Sequence, residues 1–233
     1  MAFLTAHWRD LLMINWVIPP ERVAPWVPAG CQVDCFQGRT YASLVAFQFR
    51  DTRVLGLPLP GHVNFEEVNL RLYVKRIMPD GEQRRGVVFI REIVPRRMIA
   101  WVARTIYGEP YIYMPMSHRR TVHPDGRLQL HYRWGEHHVD ATAHASLQDL
   151  AAGSEPQFIA EHYWGYTSRP RGTSEYRVNH PAWRWRAIET LEMQVAMGDL
   201  YGPQWADLSD TPPSSQFVAE GSPVSVEPCG RLG

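Results

Sequence analysis

The chain has 233 residues, 45% of them apolar, with 9 Trp, 10 Tyr and 8 Phe. That suffices for one large core, and all-β chains of this size commonly form a single domain, here 1–233. Its 24 basic and 24 acidic residues balance, so no global field favours nucleic acid or a membrane surface.

The N-terminus, MAFLTAHWRDLLMINWVIPP, carries His7, Arg9 and Asp10 among apolar residues. It lacks the basic region and cleavage site of a signal peptide, and no apolar run approaches the roughly 18 residues of a membrane helix. Residues 8–17 predict a strand or a short helix, with a strand favoured in their second half. Between Pro20 and Pro28, Glu21 to Val27 predicts one helical turn. CQVDCF (31–36) and RTYASLVAFQFR (39–50) predict a hairpin turning at Gln37-Gly38. Cys31 and Cys35, with Cys229, form an odd, sparse set that points to a reducing compartment and has no neighbouring pair to complete a zinc site. The expectation is a soluble, cytoplasmic protein, with homo-oligomerisation left open. Pro58 and Pro60 mark a loop over 51–61.

Residues 62–75, HVNFEEVNLRLYVK, are the most informative stretch. From Glu67 to Val74 the alternation is strict: Glu67, Asn69, Arg71 and Tyr73 against Val68, Leu70, Leu72 and Val74. A strand sends successive side chains to opposite faces, so one face is apolar and the other polar. Neighbours along the polar row stand about 7 Å apart, two strand rises. An acid, an amide, a guanidinium and a phenol in one row suit the lining of a polar cavity. A solvent-facing sheet edge is the alternative.

Pro79-Asp80-Gly81 predicts a turn into RGVVFIREIV (85–94). Pro95 opens a predicted helix, RRMIAWVARTIYG, ending at Gly108, and EPYIYMPMS (109–117) follows as a strand. Residues 118–147 predict strands around His123-Pro124-Asp125-Gly126 and Trp134-Gly135-Glu136 turns, then a helical interruption over 146–163. A hairpin turns at Arg171-Gly172, a strand covers 183–196, and Asp199–Trp205 forms a short helix. A last hairpin is expected around Glu220-Gly221. Many short strands with few helices argue a mostly β, β-dominated α+β fold.

The segments LTAHWRDLLMINW, VPAGCQVD, GRTYASLVAFQFRDTRVLGLPLPG, NFEEVNLRLYV, ARTIYGEPY and AEGSPVSV resemble the uncharacterised YqjF-like family, a domain of unknown function. That family is similar, more distantly, to acetoacetate decarboxylase. Here the second likeness rests on Arg9 followed after a gap by VPAGCQVD, on Glu67 in its Phe-Glu-Glu context, and on Arg104-x-Ile-x-x-x-Pro110. The resemblance implies a closed, cone-shaped antiparallel β-barrel with a few peripheral helices and a polar pocket inside. In the decarboxylases the residue after that proline is the Schiff-base lysine, followed by a second lysine. Here those positions are Tyr111 and Ile112, and a phenol cannot form an imine. All basic residues but Lys75 are arginines, so Lys75, near the Pro-Asp-Gly turn, is the one candidate amine; a solvated turn lysine is the plainer reading.

What remains is a polar lining without the nucleophile. Arg9 and Arg71 suit a carboxylate, Glu67 a general acid or base, and Tyr111 a hydrogen bond to a carbonyl or enolate oxygen. Asn69, Tyr73 and Arg104 complete the candidate ligand-binding set. Against these roles stand a Glu67–Arg71 ion pair holding two strands, an Asn69 satisfying backbone at a bulge, and a structural Arg104. A second constellation is His131, His137, His138, Asp140 and His144, with Glu136 beside them; on strands some would share a face and could seat a metal ion, although no strong metal motif is matched. No nucleotide or hydrolase motif occurs, and no cofactor is expected. The reading is a barrel binding a small anionic or carbonyl ligand. The alternatives are a non-imine lyase or isomerase using Glu67, and a metal enzyme built on the histidines.

Overall fold

The computed structural model describes residues 2–102 and 108–232, and the fold is mostly β. Among the described residues fifteen strands follow one another: β1 Leu4–Ile18, β2 Gln32–Val33, β3 Thr40–Val54, β4 Leu57–Pro58, β5 Phe65–Ile77, β6 Gln83–Val94, β7 Tyr111–Tyr113, β8 Met116–Val122, β9 Leu128–Trp134, β10 His137–Ala143, β11 Gln148–Asp149, β12 Trp164–Arg169, β13 Gly172–Asn179, β14 Arg184–Gln194 and β15 Ser215–Leu232. The helices are short: α1 Pro20–Val23, α2 Arg97–Val102, α3 Glu155–Ala160 and α4 Met197–Tyr201. Among the described residues no helix is long and apolar enough to cross a membrane.

Hydrogen bonding runs in the order β1-β3-β5-β6-β12-β13-β15-β14-β10-β9-β8, and β15 also pairs with β1. The pairings from β1 round to β15 therefore form a ring, from which β14, β10, β9 and β8 continue as a second layer. β5 lies between β3 and β6 and is buried on both faces. Its Val68, Leu70, Leu72 and Val74 enter one apolar cluster with Leu12, Leu44, Leu130, Trp134 and Trp205. Its opposite face borders a second cluster around Met13, Phe47, Phe158 and Phe217. The solvent-edge alternative for this strand is thereby overturned: the polar row is internal.

Two expected hairpins are corrected. Residues 31–36 do not fold back on β3; Gln32 and Val33 pair instead with Lys75 and Val74 of β5, although the Gln37-Gly38 turn forms and bridges Phe36 to Arg39. The C-terminal segment does not reverse at Gly221. β15 runs on through it, pairing with β1 from Ser215 to Val226. Gly221 has φ +81°, and a Cβ there would lie 2.0 Å from the Trp8 carbonyl oxygen. The glycine lets two long strands bend together rather than making a turn. Around α3 the predicted helical stretch shrinks to Glu155–Ala160, started by Ser154, whose hydroxyl accepts from the Gln157 amide at 3.3 Å. The loop expected over 51–61 also carries the end of β3 and the short β4. Only the first part of the helix predicted after Pro95 lies within the described residues.

Candidate functional site

Pairing register builds the site across five strands. On β5, Glu67 and Asn69 point to the second cluster's side. Asn69 stands opposite Glu92 of β6, and Glu92 stands opposite Tyr111 of β7. Directly paired residues share a face, so these side chains form one row. Glu109 precedes Tyr111 by two residues, and Tyr176 comes in from β13 across Gly165 of β12. A Cβ at Gly165 would lie 1.9 Å from the Tyr176 ring; only glycine lets that phenol lie there. Glu67, Asn69, Glu92, Glu109, Tyr111 and Tyr176 line a cavity of about 250 Å³ with mostly apolar walls, to which Trp8, Phe47, Phe65, Val87, Phe89 and Trp183 contribute.

Glu67, Glu92 and Glu109 are all buried, at 2%, 3% and 6% exposure. Their hydrogen-bond partners are neutral, although the charge of Arg169 also acts on Glu109. Asn69 Nδ2 donates to Glu67 Oε1 at 2.9 Å and the Tyr111 hydroxyl to Glu67 Oε2 at 3.0 Å. The Thr167 hydroxyl donates to Glu109 Oε1, and Tyr176 faces the same carboxyl. Oε2 of Glu92 and of Glu109 and Oδ1 of Asn69 are buried without a hydrogen-bond partner among the described residues. Burial pushes the Glu67 and Glu109 carboxyls up to about 7, Glu67 with the added repulsion of Glu109. Glu92 is raised well above the carboxylate range by burial and by the charges of Glu109 and Glu67. Tyr111 and Tyr176 are likewise raised by burial and by the glutamates, so both stay phenols.

Arg71 lines the same cavity. Its Nε donates to the Tyr73 hydroxyl at 3.3 Å and its Nη2 to the Ile159 carbonyl at 3.0 Å. The expected Glu67–Arg71 ion pair is not what holds these strands: each side chain has other partners. His162, just after α3, and His180 also line the cavity, and burial pushes both imidazoles down to about 4.

The structure thus brings Glu67, Asn69, Arg71 and Tyr111 around one cavity and leaves other candidates out of it. Arg9 is exposed and is not in the lining. Asp10 has φ +52°, and the β1–β3 register shifts between Arg9 and Leu12. This bulge turns Trp8 and Leu11 inward and Arg9 outward. Tyr73 is buried beyond the lining: its hydroxyl donates to Ser43 Oγ at 2.7 Å, and its ring packs on Phe158 and His162. It holds Arg71 rather than facing the hollow. Arg104 lies outside the described residues. Lys75 is not a solvated turn residue; its Nζ lies 3.4 Å from Asp34 Oδ1, away from the cavity.

The histidine constellation resolves into separate pairs on the second layer. His131 Nδ1 lies 2.8 Å from Asp140 Oδ2, His144 Nδ1 2.9 Å from Glu189 Oε1, and His138 Nε2 3.9 Å from Glu192 Oε1. Among the described residues no group of three or more His, Cys, Asp or Glu side chains is placed to hold a metal ion. Glu92, Glu109, Tyr176 and His162 were not singled out from sequence. Glu109, next to Pro110 and two before Tyr111, shared their segment and carried the one available signal.

Comparison with solved structures shows what this fold is similar to. Acetoacetate decarboxylase from Legionella pneumophila aligns with TM-score 0.62 at 12% identity, over 98% of this chain and 88% of that one. The enduracididine biosynthesis enzyme MppR in complex with pyruvate aligns with TM-score 0.61 at 13% identity, over 100% and 90%. An acetoacetate decarboxylase-like enzyme from Sphingomonas wittichii aligns with TM-score 0.59 at 15% identity, over 100% and 95%. In sequence, the uncharacterized protein YqjF of Bacillus subtilis is 23% identical over 219 residues, 91% of this chain and 85% of its own. The resemblance carried by NFEEVNLRLYV and its companion segments extends over residues 5–223, and the chain belongs to the DUF2071 family of uncharacterized conserved proteins.

Proposed function

We propose that the cavity binds a small carboxylate or carbonyl compound. One observation carries this reading: three buried glutamates with neutral hydrogen-bond partners share a single, mostly apolar hollow with Arg71. Protonated carboxyls are donors as well as acceptors, so this wall suits a carbonyl oxygen, while Arg71 suits a carboxylate. The volume of about 250 Å³ lies at the small end for ligand cavities. In this reading the ring of strand pairings is the wall of a closed, cone-shaped barrel. The similar fold of MppR, solved with pyruvate, supports the ligand class. The protein acts in the cytoplasm, without a nucleic-acid partner.

A second reading, favoured by the near-neutral titration of Glu67 beside Tyr111, is a lyase or isomerase that works without an imine. Glu67 then moves a proton and Tyr111 steadies the developing enolate. Thermal-shift screening against keto acids and aromatic acids tests the first reading. A carboxylate should raise the melting temperature, and Arg71→Ala should abolish the shift; no stabilising acid would sink it. Turnover of a hit that disappears in Glu67→Gln promotes the protein to an enzyme.

A further inference from the structure

We infer that His162 is the ligand-facing half of an Asp34–His162 pair and accepts a hydrogen bond from a ligand hydroxyl, so that the cavity selects 2-hydroxy carboxylates. This rests on the carboxylate reading above and narrows it.

Asp34 is a buried carboxylate fixed by cations. Arg85 Nε lies 2.7 Å from Oδ2 and Lys75 Nζ 3.4 Å from Oδ1. The same Oδ2 is 3.1 Å from His162 Nε2. A carboxylate between two cations accepts hydrogen bonds, so Nε2 carries the imidazole proton and Nδ1 keeps its lone pair. Burial, with Arg85 and Arg71 nearby, keeps the ring neutral against the pull of Asp34. Tyr73 and Phe158 meet the ring edge-on, with centroids 4.8 and 5.0 Å away, and so fix its plane. Nδ1 is buried and has no partner among the described residues, although His162 is part of the cavity wall. A buried acceptor of this kind is completed by a donor.

Arg71 is the neighbour that sets the ligand's geometry. It touches the same Tyr73 ring and holds the Ile159 carbonyl, three residues before His162. In this inference a carboxylate sits on Arg71 and the hydroxyl of its adjacent carbon against Nδ1, both residues being part of the same cavity wall. The chain's one lysine gains a purpose here: it helps to hold Asp34.

Isothermal titration of 3-phenyllactate, its O-methyl ether and 3-phenylpropionate tests the inference. The hydroxy acid should bind about tenfold more tightly than either comparison, the worth of one good hydrogen bond. His162→Phe should erase that preference while retaining 3-phenylpropionate binding, and Asp34→Asn, which disturbs the tautomer, should reduce it. Nitrogen-15 NMR of the unbound protein should show His162 protonated at Nε2 alone. Equal affinity for all three acids, or a proton on Nδ1, overturns the inference and leaves the carboxylate reading intact. If no acid binds, that reading fails and this one with it. Should His162→Phe not fold, the wild-type preference and the NMR tautomer decide.

Discussion

Glu67→Gln removes one ionisable group from the cavity while keeping its shape and its hydrogen bonds. Asn69 still donates to the amide oxygen, and the Tyr111 hydroxyl rotates to accept from the amide nitrogen. Burial raises the Glu67 pKa from its ordinary 4.5 to about 7. A raised carboxyl binds its proton more tightly in the folded state than in the unfolded one. Its contribution to stability is therefore complete below about pH 4.5, declines as pH rises, and is lost above about pH 7. The shift converts to a loss of roughly 3 kcal/mol, most of it between about pH 4.5 and about pH 7. His162 and His180, lowered to about 4, pull the other way, because the unfolded chain takes up their protons first. They are the same in both proteins and cancel in the difference. Urea unfolding followed by tryptophan fluorescence should show the variant gaining roughly 2–3 kcal/mol on the wild type across that window, or about 5–10 °C in melting temperature. Parallel pH profiles for the two proteins would mean that Glu67 is comfortably ionised in the fold, and the argument from burial would be wrong.

Tyr111→Phe takes the donor from Glu67 Oε2 and should cost about 1–3 kcal/mol in urea unfolding, with the Glu67 titration moved still higher. Gly165→Ala drives a Cβ into the Tyr176 ring and should lower stability by on the order of 1–3 kcal/mol, read as a fall in melting temperature. Borohydride with a keto acid should leave the wild type unlabelled by mass spectrometry, since Lys75 is tied to Asp34 outside the cavity. A label on Lys75 would overturn that placement.

The alternation from Glu67 to Val74 was legible in the sequence because β5 keeps period 2 throughout its polar row. Glu92 was not legible, and the reason is local. Arg71 pairs with Phe89 but Leu70 pairs with Arg91, so β6 carries one extra residue at Ile90. Before that bulge, Val87 and Phe89 face the cavity; after it, the phase flips and Glu92 does. The same slip at Asp10 sends Arg9 outward. Glu109 and Tyr111 reach the site through a parallel pairing of β7 with β6, a long-range contact that no local pattern announces. The His162–Asp34 pair spans 128 residues and was equally silent. At Gly221 a turn signal proved to be a bend, since a glycine with positive φ serves either purpose.

Tyr111 and the three glutamates belong together electrostatically, which gives a final prediction for Tyr111→Lys. Elsewhere this arginine-rich chain supplies its buried acids with cations: Asp34 has Arg85 and Lys75, and Glu175 has Arg76 and Arg84. The cavity glutamates have an amide, phenols and a hydroxyl as hydrogen-bond partners instead, with the charge of Arg169 acting on Glu109. An ammonium placed at position 111 would meet Glu67 and Glu92, draw them into ionised pairs, and have its own pKa raised in return. An imine-forming amine needs the opposite, a depressed pKa that leaves the nitrogen lone pair free. Tyr111→Lys should therefore fail to trap pyruvate or acetoacetate under borohydride at neutral pH. Trapping should appear only in a variant that also carries Glu67→Gln and Glu92→Gln. If the single substitution forms the adduct, the glutamates do not govern the charge at this position, and the cavity is closer to an imine site than its side chains indicate.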